Sequence, residues 1–166
     1  MSVNIKIVGT GLIGTSIGLA LARKGITAQL ADQSASNLKL AIDYGAGVAA
    51  TGNADLVIVC VPPDLTASTV TQELEANPEA LVTDVASVKS AIRTSVDLGS
   101  SDSARYLGSH PMAGREAGGP KGARADLFFA RPWVISPGSE STEEQIAQLR
   151  QLALEMDALP VVLSPE

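Results

Sequence analysis

Gly9, Thr10, Gly11, Leu12, Ile13 and Gly14 make a G-x-G-x-x-G run between an aliphatic stretch and a segment of helical period. In such a turn each glycine has its own task. The first permits a tight bend, the second lets the backbone approach a pyrophosphate, and the third lets the helix lie close on the sheet. The helix start adds free N–H groups and the positive end of a dipole, both suited to phosphate. Without a ligand the same residues would make only a strand-to-helix turn, but an acid follows at the expected interval. Asp32 lies eighteen residues after Gly14, at the end of the next aliphatic stretch. Its carboxylate can accept hydrogen bonds from adenosine ribose hydroxyls and would repel a 2′-phosphate. Gln33, Ser34, Ala35 and Ser36 offer that phosphate no cation, so NAD is favoured over NADP. The bland alternative is a solvated acid that starts the next turn.

The second chemical feature is His110, the one histidine of the chain, in Ser109-His110-Pro111-Met112-Ala113-Gly114. An imidazole near its ordinary pKa of about 6.5 can take a proton from a hydroxyl at neutral pH. It is expected just after a strand, at the sheet edge where an α/β fold gathers its ligands; a lone histidine can equally be structural. From Arg105 to Arg131 five basic side chains (Arg105, Arg115, Lys121, Arg124, Arg131) outnumber two acids, Glu116 and Asp126. A positive island on an acidic chain suits a small anionic substrate, or is a solvated loop. Ser87 reads equally as a helix N-cap and as a hydroxyl aimed into the crevice. Lys89 reads as a helix-surface cation, and Cys60 as a mid-strand core residue.

The elements that must position these groups alternate along the chain. Strands are expected at Asn4–Val8, Ala28–Ala31, Leu56–Val61, Ala80–Thr83, Tyr106–Gly108, Trp133–Ser136 and Leu159–Leu163. Helices are expected at Leu12–Lys24, Ser36–Tyr44, Leu65–Ala76, Ser87–Leu98 and Thr142–Met156, with Pro62-Pro63 closing the third strand. In the last helix Ile146, Leu149, Leu152, Ala153 and Met156 share a face. Such alternation predicts an α/β, Rossmann-type doubly wound fold: a mostly parallel sheet with helices on both faces. The 166 residues suit one domain. Hydrophobic residues are 45% and the net charge is −6, which excludes a disordered tail and argues against nucleic acid as a partner. One cysteine cannot form an intrachain disulfide, and no multi-cysteine metal site is possible. No signal peptide and no apolar run of about 20 residues is visible, so a cytoplasmic protein without membrane partners is expected.

Taken together these blocks resemble the prephenate and arogenate dehydrogenases of tyrosine biosynthesis. The likeness rests on Gly9–Gly14 with Leu19-Ala20-Leu21, on Ala54–Pro63, and on Thr83-Asp84-Val85-Ala86-Ser87-Val88-Lys89. Most specific is Gly108–Glu116, continued by Asp126-Leu127-Phe128 and Arg131-Pro132-Trp133. The resemblance implies NAD-dependent oxidative decarboxylation of a cyclohexadienyl ring. His110 would accept the ring hydroxyl's proton, and Ser87 would orient His110 and the nicotinamide. Glu116 and Arg115 would serve the substrate pocket. Val61, Pro62, Pro63 and Ser87 would join the glycine turn and Asp32 in holding the cofactor. It also implies a helical domain beyond residue 166 that forms a homodimer and completes the pocket. Related possibilities are a non-catalytic NAD-binding module and a β-hydroxyacid dehydrogenase or imine reductase of similar fold.

Overall fold

A computed structural model of the chain describes residues 3–113 and 119–163. Its elements are β1 (Ile5–Val8), α1 (Leu12–Arg23), β2 (Gln29–Ala31), α2 (Ala35–Asp43), β3 (Val48–Ala49), β4 (Leu56–Val59), α3 (Pro63–Ala76), β5 (Leu81–Asp84), α4 (Ser90–Gly99), β6 (Gly108–Pro111), β7 (Pro132–Ser136), α5 (Glu143–Glu155) and β8 (Leu159–Val162). Five strands form a parallel sheet in the order β3-β2-β1-β4-β5. β1 pairs with β2 on one side and β4 on the other, Ile7 opposite both Leu30 and Ile58. The strand order therefore reverses at β1, where an open α/β sheet makes its ligand crevice. The remaining strands form a β6-β7-β8 sheet, antiparallel between β6 and β7 and parallel between β7 and β8. A single parallel bridge, Val82 to Tyr106, joins it to the edge of the larger sheet.

The side-chain period of two explains how the sheet is covered on both faces. Along β4, Leu56 and Ile58 enter a core shared with Ile17 and Leu21 of α1, Ala41 of α2, and Leu149 and Leu152 of α5. Val57 and Val59 enter the opposite core, with Val70 and Leu74 of α3 and Ile92 and Val96 of α4. The α5 face read from the sequence is the buried one. Its start is set by a capping box in which Thr142 and Gln145 satisfy each other's backbone N–H groups.

Four local expectations need correcting. Pro63 does more than end β4: it opens α3, where its missing N–H costs nothing and its φ suits the first turn. α4 starts at Ser90 with Lys89 in the N-cap place, so Ser87 does not cap it. His110 lies within β6 rather than after it. Cys60 falls just beyond β4, not in mid-strand. The two-residue β3 was not anticipated, because Val48-Ala49 is too short to show an alternation.

Candidate functional site

The glycine turn is built as its spacing requires. Gly9 has φ +102°, and a Cβ there would stand 2.5 Å from the Cys60 carbonyl oxygen, so both conformation and space demand glycine. A Cβ on Gly14 would lie 1.9 Å from the Gly9 carbonyl oxygen. At Gly11 nothing lies within 4 Å of that position; the backbone there faces open space, as a surface approached by a pyrophosphate should. Thr10 is fully buried, and Leu12 and Ile13 begin α1 with no side-chain cap on its first N–H groups.

Asp32 closes the other side of the turn. Its Oδ2 accepts from the Thr10 backbone N–H (2.6 Å) and hydroxyl (2.8 Å), and its Oδ1 from the Ser34 N–H (2.7 Å). A cleft of about 520 Å³ opens beside it, lined by Gly11, Asp32, Asn37, Val61 and Pro62 among others. Of the sequence-predicted cofactor residues, Gly9, Gly11, Asp32, Val61 and Pro62 thus line one cavity. Pro63 is exposed at the start of α3, and Ser87 is exposed on the β5–α4 loop. The open backbone at Gly11 and the acid beside it fit a dinucleotide with free ribose hydroxyls.

His110 is half-buried at the carboxyl end of β5. Its Nδ1 lies 3.3 Å from the Val85 carbonyl oxygen. A carbonyl only accepts, so Nδ1 carries the proton and Nε2 is left as the basic nitrogen. The neighbour that fixes the ring among the described residues is therefore Val85 rather than Ser87. Arg115 and Glu116 lie outside the described residues.

The positive island divides in space. Arg105 sits at the opposite end of the sheet, where its guanidinium donates to the Leu74, Asn77 and Ala80 carbonyls (2.7–2.9 Å). Arg124 stays at the crevice end, its N–H bonded to the Ser16 hydroxyl of α1. Arg131 stands just before β7, where the Pro132 carbonyl accepts from the Met112 N–H and the Arg131 carbonyl from the Leu159 N–H. Lys89 is not a surface cation. Its ammonium pairs with the fully buried Asp84 carboxylate and donates to the Ser109 carbonyl (2.8 Å). Burial lowers its pKa, with Asp84 acting in the other direction. Sequence reasoning gave Asp84 and Tyr106 no role, although an acid closing an apolar strand was a usable signal. Among the described residues no cluster of three His, Cys, Asp or Glu side chains could hold a metal, and no helix is long and apolar enough to cross a membrane.

Residues 17–162 match the model of the prephenate dehydrogenase nucleotide-binding domain. The chain belongs to that family. It is 38% identical over 96% of its length to a probable prephenate dehydrogenase of Streptomyces niveus, and 32% identical over its whole length to the prephenate dehydrogenase of Bacillus subtilis. Those alignments take in 45% and 48% of the two relatives: the chain spans about half the length of the curated relatives it matches. Among solved structures, Synechocystis arogenate dehydrogenase superposes on 98% of the chain with TM-score 0.87 at 31% identity, using 60% of that protein. A prephenate dehydrogenase from A. aeolicus in complex with hydroxyphenyl propionate and NAD+ shares the fold, with TM-score 0.86 at 21% identity over 99% of the chain and 61% of that structure. The prephenate dehydrogenase match begins after Gly14, so the glycine turn is assigned by its own geometry.

Proposed function

We propose that this chain is the NAD-binding portion of an NAD-dependent prephenate or arogenate dehydrogenase. The observation that carries the reading is a histidine whose Nδ1 faces the Val85 carbonyl, leaving Nε2 as its basic nitrogen, at the carboxyl end of β5 in a sheet whose glycine turn and Asp32 suit NAD, in a chain of this family. Bound NAD+ supplies the hydride acceptor. His110 Nε2 hydrogen-bonds the ring hydroxyl and takes its proton as the carbon bearing it loses hydride. The ring carboxylate departs as carbon dioxide, its bonding electrons make the ring aromatic, and the phenolate oxygen takes the proton back from His110, giving 4-hydroxyphenylpyruvate from prephenate or tyrosine from arogenate. Aromatisation drives the step, so the protein's task is orientation. Ser87, exposed on the loop that carries the Val85 carbonyl, orients the nicotinamide. Arg115 and Glu116 serve the anionic substrate. A helical domain completes the substrate pocket and the homodimer, and the enzyme works in the cytoplasm.

The test is NADH formation with prephenate and with arogenate, on the chain joined to the helical domain of a relative. His110→Asn in that enzyme should keep NAD affinity and lower turnover by about 10²–10⁴-fold, the ordinary contribution of a positioned base. No NADH from either substrate would refute the reading. Loss of NAD binding in the variant would make the histidine structural.

A further inference from the structure

The backbone pairing between β5 and β6 stops short of the site. One parallel bridge joins Val82 of β5 to Tyr106, two residues before β6, with the Leu107 N–H donating to the Val82 carbonyl (3.0 Å). Toward His110, side chains replace the ladder. The Ser109 hydroxyl donates to the Asp84 carbonyl (2.9 Å) and lies 3.0 Å from the Thr83 hydroxyl. The Ser109 carbonyl accepts from Lys89 Nζ (2.8 Å). Lys89 is itself anchored on the Asp84 carboxylate, which also accepts from the Tyr106 hydroxyl (2.9 Å) and the Ala86 N–H (3.2 Å). His110 then reaches Val85, the residue after Asp84.

Gly108 shows how tightly this knot is packed. A Cβ there would lie 3.0 Å from the Tyr106 hydroxyl, 3.2 Å from Lys89 Cδ and 3.5 Å from Asp84 Oδ1. The glycine before Ser109 is the space that the Lys89–Asp84–Tyr106 cluster occupies.

We propose that Lys89, anchored by buried Asp84, is a positioning residue that holds the Ser109–His110 segment against the end of β5 and so keeps His110 in its Nδ1–H tautomer with Nε2 free. The role deepens the functional reading given above, but its test needs neither NAD nor substrate. Because the chain has one histidine, ring ¹⁵N spectra report His110 without assignment ambiguity. At a pH where the ring is neutral, the unaltered chain should show a protonated Nδ1 and a bare Nε2. Lys89→Met leaves Asp84 buried without its cation and is expected to fold poorly. The decisive variant is therefore the double change Asp84→Asn with Lys89→Met, which removes both charges together. It should fold and lose the single-tautomer pattern, its two ring nitrogens moving toward a common averaged shift. Ser109→Ala, which keeps the Ser109 carbonyl for Lys89, should retain the pattern.

An Nε2–H tautomer in the unaltered chain would overturn the proposal, as would a folded double variant with an unchanged pattern. If the double variant does not fold, Asp84→Asn with Lys89→Leu takes its place under the same criterion, since it too removes the donor to the Ser109 carbonyl: a lost pattern supports the clamp and a retained one refutes it. A failure of turnover with the tautomer result intact would count against the dehydrogenase reading alone.

Discussion

At the residue scale, Asp32 has two duties that can be separated. Its carboxylate ties Thr10 to Ser34 through three hydrogen bonds, and its negative charge faces the cleft where a ribose would lie. Asp32→Asn keeps an acceptor oxygen and removes the charge. Hydrogen bonds to a charged group contribute about 1.5–3 kcal/mol, so NAD affinity should fall about ten- to hundredfold while NADP affinity falls less or rises. Calorimetric titration with both dinucleotides checks this, and equal losses would remove the ribose assignment. Cys60 allows a second test. Burial, helped by the nearby Asp84 charge, pushes its thiol well above the ordinary value of 9.0. The unfolded chain therefore loses this proton first as pH rises, and the native state forfeits stability above about pH 9. The group's contribution should fall by about 1.4 kcal/mol per pH unit there. Urea denaturation across that range should show Cys60→Ala lacking this part of the slope.

At the scale of elements, the turn between β1 and α1 contains two glycines with opposite expected behaviour. Gly14→Ala drives a methyl into the Gly9 carbonyl, which is backbone and cannot rotate away. It should cost several kcal/mol of stability, in the range of severe overpacking. Gly11→Ala meets nothing within 4 Å and needs no unusual φ, so stability should stay within about 0.5 kcal/mol while NAD binding weakens at least tenfold. Thermal melts and NAD titration of both variants distinguish a fold requirement from a ligand requirement. These positions were legible in the sequence because a short motif fixes its own backbone. So was α5, whose buried face repeats over about three turns. Cys60 and Ser87 were misplaced because strand and helix ends are set by tertiary contacts rather than by propensity. The roles of Asp84, Lys89 and Tyr106 were illegible for a stronger reason. Their meeting brings Tyr106 to Asp84, twenty-two positions earlier at the end of β5, beside the Lys89–Asp84 pair, and Lys89 alone looks like any helix-surface lysine. Arg105 was misread likewise: charge counted along the chain does not say at which end of a sheet it stands.

At the scale of the whole molecule, the question is whether the β6-β7-β8 sheet folds with the larger one. One backbone bridge between them is thin support, but the core is continuous. Ile7 and Leu56 of the large sheet belong to the same buried cluster as Trp133 and Ile135 of β7, with Leu149 and Leu152 of α5 between them. The Phe128 and Trp133 rings, 5.2 Å apart, add to it from the loop that returns to β7. A shared core of this kind makes separate unfolding expensive, since either sheet alone would expose the apolar face of the other. Trp133 is the one tryptophan of the chain and reports the smaller sheet, whereas far-UV circular dichroism is dominated by helices α1 to α4 on the larger one. Urea unfolding followed by the two signals should give coincident midpoints and equal slopes. Leu149→Ala, at a fully buried contact, should lower both midpoints together by an amount equivalent to about 2–5 kcal/mol. A fluorescence transition that precedes the dichroism transition would show the second sheet to be an independent unit, and His110 would then ride on the less stable of the two. Coincidence would mean that the histidine is held in register with the glycine turn by the same cooperative core that folds the chain.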